Sequence, residues 1–386
     1  MDSRSSRRNF LSAGLALPLA VQAQTPASQP KLQYRTLGRT GLKVTALSFG
    51  CMTTSDASVI EHAADIGIVH FDTARSYQSG NNERLVGGAL KSRRKSVIIS
   101  TKTPAKTKAE AEADLATSLR ELGTDYLDIW YLHMRNEPAE VTDELLEVQR
   151  AAKKAGKIRF AGVSMHFTMK EMIPFLVQRG QTDVILTDYN FSMPPEMEME
   201  KTLAAARQAG IGIMAMKTMA GGFSRIQRGD RLYTDNPQAL TARLKQPGAM
   251  VSALKWVLHN KSVDTAVVGI LDREQLTENL AAVTAPFADA DQHRLTAQLD
   301  LIRPLYCRMC GDCVGQCKQN LPVHDLLRIL SYADGYNQIP LARERYSELP
   351  ASVRTASCQN CDACTVTCPH GVRVAERVGL AQRWLA

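Results

Sequence analysis

Between residues 33 and 300, short apolar runs rich in β-branched residues alternate with amphipathic segments of about 10 to 16 residues. The short runs have the length and composition of buried strands, and the longer segments carry apolar residues at helical spacing. The predicted strands cover residues 46–50, 69–72, 97–102, 127–132, 160–164, 184–188, 212–216 and 265–269. Predicted helices include residues 109–122, 142–155, 194–209 and 250–259. Eight strands with intervening helices predict an α/β fold, a (β/α)8 TIM barrel over residues 32–300.

A short hairpin is predicted ahead of the barrel. Residues 32–35 and 43–47 would pair across a turn between Gly38 and Gly41, and we expect this hairpin to cap the bottom of the barrel. A doubly wound open sheet is the alternative fold. That fold would carry a glycine-rich dinucleotide loop after its first strand, and the segment Gly50-Cys51-Met52-Thr53 is not such a loop.

The first 23 residues have the order of regions found in a signal peptide. Arg7 and Arg8 precede a mildly apolar stretch from Phe10 to Val21, and Ala23 offers a small residue for cleavage. The stretch is too short to span a bilayer of about 30 Å, and the paired arginines indicate twin-arginine export. A disordered basic tail is the alternative. No later stretch is apolar enough to cross a membrane, so we expect a soluble periplasmic protein once residues 1–23 are removed.

Eight of the nine cysteines lie between residues 307 and 368, and Cys51 stands apart. They form two C-x2-C-x2-C-x3-C runs, which indicate two 4Fe–4S clusters, the fourth cysteine of each run reaching the other cluster. Zinc sites usually pair two C-x2-C units instead, and disulfides would not require this doubled spacing. The first predicted ligand set is Cys307, Cys310, Cys313 and Cys368. The second is Cys317, Cys358, Cys361 and Cys364.

The residues between the two cysteine runs predict helices. Apolar positions in residues 326–333 and 341–349 have near-helical spacing, so residues 301–386 predict a mostly helical dicluster module. This module resembles the ferredoxin domains of fumarate reductase iron–sulfur subunits. Cluster insertion requires reduced thiols, and twin-arginine export accepts folded cargo, so the two predictions agree.

Composition narrows the function classes. The chain is 44% hydrophobic and 22% charged, as in soluble globular proteins. Its net charge of +8 is spread along the chain, apart from arginines near the start, and forms no nucleic-acid-binding module. We therefore expect no nucleic-acid partner.

The carboxyl ends of successive predicted strands carry four polar residues that make chemical sense together. In a barrel of this type the chemistry lies at these strand ends. Asp72 would orient Lys102, and the Lys102 ammonium would lower the pKa of Tyr77. Tyr77 would then supply a proton to a substrate oxygen that His133 hydrogen-bonds. Taken singly, Asp72 could cap a helix and His133 could be a core histidine, but their arrangement at successive strands favours catalysis.

These residues give the chain its resemblance to the aldo/keto reductases. The segments that carry the resemblance are residues 67–77, 100–103, 131–133, 156–164 and 275–280. The resemblance implies the catalytic tetrad Asp72, Tyr77, Lys102 and His133, and a nicotinamide cofactor extended across the barrel mouth. It also implies reduction of aldehydes and ketones, or the reverse reaction. The implied cofactor-binding residues are Ser164, Gly269, Gln275, Glu278 and Asn279.

The chain departs from the family pattern at several cofactor positions. Three positions that usually contact the nicotinamide are Met165, Leu186 and Met216. Positions that usually favour a 2′-phosphate fall on Leu271 and Asp272, with Arg273 beside them, so NAD is favoured over NADP. Lys217 replaces a small residue and would meet a pyrophosphate or an acidic substrate, the alternative being a surface lysine.

The leading hypothesis is an exported oxidoreductase that acts on a small carbonyl or alcohol and passes electrons through its clusters to an unidentified redox partner. A nicotinamide transfers two electrons as hydride, whereas each cluster carries one, and no flavin fingerprint bridges the two. The alternative is an electron-transfer or binding protein whose barrel has lost nicotinamide-dependent catalysis.

Overall fold

Eight parallel strands close into a barrel in the computed structural model, which describes residues 32–222, 248–358 and 361–386. An antiparallel pair precedes them, β1 Tyr34–Thr36 and β2 Lys43–Thr45. The barrel strands are β3 Leu47–Gly50, β4 His70–Asp72, β5 Ile98–Thr103, β6 Leu127–Leu132, β7 Ile158–Met165, β8 Val184–Asp188, β9 Gly212–Met216 and β10 Thr265–Gly269. Strand β10 pairs with both β9 and β3, which closes the sheet and excludes the open-sheet alternative.

Thirteen α-helices lie within the described residues. They are α1 Ala57–Asp65, α2 Asn81–Leu90, α3 Lys108–Leu122, α4 Asp143–Lys154, α5 Met169–Arg179, α6 Met199–Gln208, α7 Ala249–His259, α8 Arg273–Ala281, α9 Asp289–Ile302, α10 Val323–Asp334, α11 Ile339–Ser347, α12 Ala351–Thr355 and α13 Val374–Leu385. None of these helices has the length and apolar character needed to cross a bilayer.

The predicted elements agree closely with the observed ones, with one correction. Four predicted strands have the observed bounds, and the others differ by one or two residues. The predicted helix over residues 194–209 is wrong as a single element. Pro195–Met197 form a separate 3₁₀ turn, and Glu198 has a left-handed backbone with φ of 48°, so α6 begins only at Met199.

The barrel wall has two apolar faces because side chains alternate along each strand. Trp130 of β6 is fully buried in the layer between the sheet and the helices, whereas its neighbour Tyr131 fills the barrel interior. Leu37 and Leu42 of the leading hairpin join the interior cluster. The interior is therefore a packed core closed at one end, and the open end is where the strands finish.

The hairpin covers the amino ends of the strands, as predicted. The Asp264 carboxylate, just before β10, accepts hydrogen bonds from Gly38 N at 3.2 Å and from Ile213 N at 2.9 Å. Gly38 has φ of +48°, and a Cβ there would lie 2.3 Å from Gly212 N. Only glycine allows the turn to approach β9 this closely.

Residues after α9 form a mostly helical module, as predicted. Helices α10 to α13 bury a separate apolar cluster that includes Leu326, Leu330, Tyr346, Val378 and Leu385. Helices α10 and α11 correspond to the helices predicted for residues 326–333 and 341–349. The predicted boundary at residue 300 falls near the end of α9, and residues 31–386 form one compact unit. The predicted signal peptide, residues 1–23, lies outside the described residues.

Candidate active site

A buried ion pair lies at the centre of the site. Asp72 ends β4 and Lys102 lies on the neighbouring strand β5, and the two residues are 4% and 1% exposed. The Lys102 ammonium donates a hydrogen bond to the Asp72 carboxylate and another, of 2.6 Å, to the Thr73 carbonyl oxygen. The Ser100 hydroxyl donates to the other Asp72 oxygen at 2.6 Å. Each charge is thus compensated, as a buried charge must be.

The environment keeps Lys102 charged. Burial alone would lower its pKa, but the attraction of Asp72 and Tyr77 outweighs burial, and the pKa is raised above its usual value. The ammonium therefore persists across the physiological pH range, which the predicted tetrad requires.

Tyr77 lies in the loop after β4, next to this pair. Its ring centroid is 4.9 Å from Lys102 Nζ and 5.9 Å from the His133 ring, which it meets edge-on. Burial raises the pKa of Tyr77, and Lys102 opposes this rise without cancelling it. The prediction of a lowered pKa was therefore wrong, because burial outweighs the ammonium. At neutral pH the phenol is a proton donor.

His133 follows β6 and completes the predicted tetrad. Burial lowers the pKa of His133 well below its usual value, and the Lys102 charge acts in the same direction. The imidazole is therefore neutral and can share a hydrogen bond with a substrate oxygen. The structure brings Asp72, Tyr77, Lys102 and His133 together as the sequence predicts.

A cavity of about 830 Å³ opens over the tetrad at the carboxyl ends of the strands. This volume is within the usual range for ligand sites. Four of the predicted cofactor-binding residues line it: Lys217, Gly269, Gln275 and Glu278. The catalytic side chains and most of the predicted dinucleotide site thus share one space.

Two predicted cofactor residues lie outside the cavity lining. Ser164 Oγ accepts a hydrogen bond of 3.0 Å from Met134 N and so supports the loop that follows His133. Asn279 is fully buried, and its amide atoms have no hydrogen-bond partner among the described residues. The Ser164 hydroxyl is engaged by the protein, whereas the Asn279 amide is buried without a hydrogen-bond partner among the described residues.

The departures from the family pattern also have clear positions. Met165 packs between the sheet and the helices, and Leu186 fills the barrel interior. Met216 lines the cavity. Asp272 also lines it, and its carboxylate caps α8 by accepting a 2.7 Å hydrogen bond from Gln275 N. The carboxylate at this helix start opposes a phosphate that would otherwise be attracted there.

Sequence reasoning missed a second buried pair in the same mouth. His166 follows β7 and Asp188 ends β8, and His166 Nδ1 lies 2.7 Å from Asp188 Oδ1. Burial raises the pKa of Asp188 to about 8 and lowers that of His166 well below its usual value. Both residues are therefore mainly neutral at pH 7. The strand-end rule that identified His133 would also have identified this pair.

The helical module contributes side chains whose place at the cavity could not be predicted from the sequence pattern. Arg328, Tyr332, Tyr336 and Arg345, all from α10, α11 and the turn between them, line the cavity. Arg328 and Tyr332 are one helical turn apart, and the Tyr332 hydroxyl oxygen accepts from Arg328 at 3.0 Å and from Lys217 at 3.2 Å. The barrel mouth is therefore built by both parts of the chain.

The module also holds the loop that carries Tyr77. The Arg345 guanidinium donates to the Ser76 hydroxyl at 3.1 Å, and Glu344 Oε1 accepts from Ser79 N at 2.7 Å. Gln78 and Ser79 both have left-handed backbones, with φ of 52° and 53°. Such a conformation is unfavourable for these residues and persists where neighbouring contacts enforce it.

The eight clustered cysteines separate into the two predicted groups. Cys307, Cys310, Cys313 and Cys368 line one narrow pocket. Cys317, Cys358, Cys361 and Cys364 line another, of about 300 Å³. All nine cysteines lie within the described residues as free thiols, and Cys51 is buried in the barrel.

The first cysteine pocket lies against the barrel mouth. His324, which lines that pocket, stacks on Phe167 with ring centroids 4.1 Å apart and planes 5° from parallel. Phe167 directly follows His166, so a pair of stacked rings connects the cysteine pocket with the cavity wall.

Comparison with known proteins identifies the family. The sequence model of the aldo/keto reductase family matches residues 51–300. This range exceeds half of the chain, and the chain belongs to the aldo/keto reductase family. It is therefore an oxidoreductase of this type, as the tetrad and the barrel also indicate. The matched range ends before the first of the clustered cysteines.

Individual relatives resemble the barrel at modest identity. The chain is 26% identical to L-galactose dehydrogenase from Arabidopsis thaliana over 284 residues, covering 66% of this chain and 89% of the relative. It is 25% identical to L-glyceraldehyde 3-phosphate reductase from Escherichia coli strain K12 over 341 residues, covering 73% and 98%. Among solved structures, the holo form of aldo-keto reductase AKR11C1 from Bacillus halodurans matches with a TM-score of 0.59 at 25% identity, covering 73% of this chain and 99% of that one.

The His166–Asp188 pair yields a prediction about stability. Because the pKa of Asp188 is raised to about 8, the folded chain holds a proton there that the unfolded chain releases near pH 4. Between these values this residue lowers the free energy of unfolding as pH rises, by about 1.4 kcal/mol per pH unit. Asp188→Asn keeps the shape of the side chain and removes this slope.

Guanidinium unfolding of anaerobic protein, followed by tryptophan fluorescence at pH 6 and pH 7, measures the effect. From pH 6 to pH 7, the free energy of unfolding should fall by about 1.4 kcal/mol less in the variant than in the wild type. An equal change in both proteins would contradict the raised pKa.

Proposed function

We propose that this protein is an exported oxidoreductase that interconverts a small carbonyl compound and the corresponding alcohol, and that exchanges electrons with a redox partner through two 4Fe–4S clusters. One observation carries the proposal: Asp72, the neutral Tyr77 phenol and the neutral His133 imidazole line a single cavity of about 830 Å³, and the buried Lys102 ammonium is paired with Asp72.

Each residue of the tetrad has a different role in the reaction of a carbonyl group. His133 and Tyr77 both address the carbonyl oxygen, and Tyr77 holds the proton that this oxygen takes up when the carbonyl carbon is reduced. Lys102 stabilises the negative charge left on the Tyr77 oxygen, and Asp72 keeps Lys102 in place. In the reverse direction the deprotonated Tyr77 oxygen, stabilised by Lys102, takes the proton from the alcohol. The names of the relatives, a galactose dehydrogenase and a glyceraldehyde 3-phosphate reductase, support a substrate of this class.

The cavity fits a nicotinamide dinucleotide of the NAD type at its adenosine end. Gln275 and Glu278 line the cavity, and Asn279, on the same helix, carries a buried amide that has no hydrogen-bond partner within the described part of the chain. Asp272 disfavours NADP because its carboxylate would repel a 2′-phosphate. When bound, the nicotinamide supplies a hydride to the carbonyl carbon or accepts one from the alcohol.

The two groups of four free thiols fit two iron–sulfur clusters, because cysteine thiolates are the ligands that such clusters require. When loaded, the clusters supply one-electron transfer. The stacked Phe167 and His324 rings place the first cysteine group next to the barrel mouth. Export through the twin-arginine route to the periplasm is part of the same proposal and is supported by Arg7 and Arg8.

A second candidate function is electron transfer or binding without nicotinamide. Met165 and Leu186 are packed in apolar clusters where nicotinamide contacts are usual in the family, and Met216 lines the cavity. In that case the tetrad would act on a substrate whose electrons pass directly to the clusters. Comparison of electron acceptors separates the two functions.

Replacement of Tyr77 by phenylalanine tests catalysis. General acid catalysis contributes about 10²–10⁴-fold, so turnover of the best substrate among aldehydes, ketones and sugars should fall by about this factor. NADH, NADPH and a one-electron dye are compared as redox partners for the same panel. Tyr34→Phe is the matched control, since Tyr34 is 53% exposed on the leading hairpin, and it should keep wild-type activity.

Equal turnover of the wild type and Tyr77→Phe would remove the tetrad from the mechanism. Turnover with the dye alone would favour the second candidate function over nicotinamide chemistry.

Cluster content is tested by chemical analysis of anaerobically purified protein. Two cubanes predict about eight iron and eight acid-labile sulfide per chain. Cys361→Ser should lose or convert one cluster, while Cys51→Ala, which changes a thiol outside both groups, should keep the full content. Stoichiometric zinc without sulfide would refute the assignment.

Export is tested by replacing Arg7 and Arg8 with lysine. The precursor, with its clusters loaded, should then accumulate in the cytoplasm, because twin-arginine export reads the arginine pair. Fractionation and immunoblotting provide the measurement. Undiminished arrival of the double variant in the periplasm would contradict this route.

A further inference from the structure

The Lys217 ammonium occupies an unusual position at the barrel mouth. Lys217 follows β9 with a left-handed backbone, φ of 54°, and its ammonium lies 4.4 Å and 5.3 Å from the ring centroids of Tyr332 and Tyr336. Its described hydrogen bond is the one to the Tyr332 hydroxyl, at 3.2 Å. It makes no salt bridge with a carboxylate of the described residues. A half-buried cation with aromatic neighbours and a single neutral acceptor remains short of a counter-charge.

Within the described part of the chain, the other charged residues around Lys217 do not supply that counter-charge. Arg328, beside Tyr332, is paired with Asp325 at 2.9 Å. Asp188 attracts Lys217, but it shares a hydrogen bond with His166 and its pKa is raised to about 8 by burial, so it is mainly neutral at pH 7. Four other acidic residues among those described line the cavity. Asp72 is paired with Lys102, and Asp272, Glu274 and Glu278 belong to α8 and its cap.

The Tyr332 oxygen shows what this environment stabilises. Burial acts to raise the pKa of this phenol, but Lys217 and Arg328 outweigh burial and lower it to about 8. Tyr336 lies four residues further along the chain. Among the described residues it accepts no hydrogen bond from Lys217 or Arg328, and burial raises its pKa. The space around Lys217 and Arg328 therefore favours a negatively charged oxygen.

This positive region is close to the catalytic group. The Lys217 charge and the Tyr332 phenol both act on the pKa of Tyr77, and all three residues line the same cavity. A ligand could therefore place one functional group at Tyr77 and an acidic group at Lys217.

We propose that Lys217, Arg328 and Tyr332 form a subsite for an anionic group of the substrate, so that the substrate class is a carbonyl compound or alcohol that also carries a carboxylate or a phosphate. This proposal rests on the proposed function for the reaction at Tyr77, but the anion-binding subsite exists independently of turnover. The helical module supplies two of its three side chains and thereby sets the specificity of the barrel.

Matched pairs of substrates test the subsite in the full-length, cluster-loaded protein. Butanal is compared with 4-oxobutanoate, and glyceraldehyde with glyceraldehyde 3-phosphate. The wild type should prefer the anionic member of at least one pair, and which pair responds distinguishes carboxylate from phosphate. Lys217→Met should reduce kcat/KM for that member by about 10- to 100-fold, the value of one or two charge-assisted hydrogen bonds, mainly through KM.

Three variants control for folding and for general charge effects. Lys217→Arg keeps the cation and should retain most of the preference, and Tyr332→Phe keeps the aromatic packing while removing the acceptor oxygen. Lys201→Met removes a lysine that is 81% exposed on α6 and should leave the preference unchanged. An equal loss for neutral and anionic members in Lys217→Met, or no preference in the wild type, would overturn the proposal.

Calorimetric binding of succinate and inorganic phosphate separates this proposal from the proposed function. Binding of either anion that is lost in Lys217→Met and kept in Lys201→Met supports the subsite. If no substrate turns over while this binding is observed, the proposed function is refuted and the subsite is not. Turnover without charge preference, together with no Lys217-dependent binding of either anion, refutes the subsite and leaves the proposed function intact.

Discussion

The burial of the Lys102 ammonium is the constraint on which the active site depends. A charge held inside a barrel must be compensated, and Asp72, Thr73 and Ser100 are arranged to do so. The same burial that requires this pairing keeps the neighbouring Tyr77 protonated and His133 neutral. Desolvation thus sets the protonation states of Tyr77 and His133, and the Lys102 ammonium places a positive charge beside the Tyr77 phenol.

The helical module is part of this site as well as a separate packing unit. Its α11 contacts the strained loop that positions Tyr77, and its α10 brings Arg328 and Tyr332 to the cavity. The barrel core provides the tetrad, which belongs to the family. Arg328 and Tyr332, which line the same cavity, belong to the module, which lies beyond the range matched by the family model.

The sequence was sufficient to predict the barrel and the tetrad because both depend on local pattern. Strand ends mark Asp72, Lys102 and His133 directly, and applied more fully the same rule marks His166 and Asp188. The position of Arg328 and Tyr332 at the cavity could not be predicted, because the sequence of a helix does not show which distant part of the chain it packs against. The direction of the Tyr77 pKa was wrong for a related reason: the sequence shows the nearby lysine but not the depth of burial.

The contact between the module and the Tyr77 loop makes the geometry of the site depend on a segment that lies far away in the sequence. Arg345 and Glu344 lie between the two cysteine runs, so a change that disturbs the fold of this segment also disturbs the loop that carries Tyr77. A chain in which this segment failed to fold would lack the contacts that hold Ser76 and Ser79. Under the proposed function, metal content and activity would therefore be linked, because a chain without its clusters would lack both its electron carriers and the support of its proton donor.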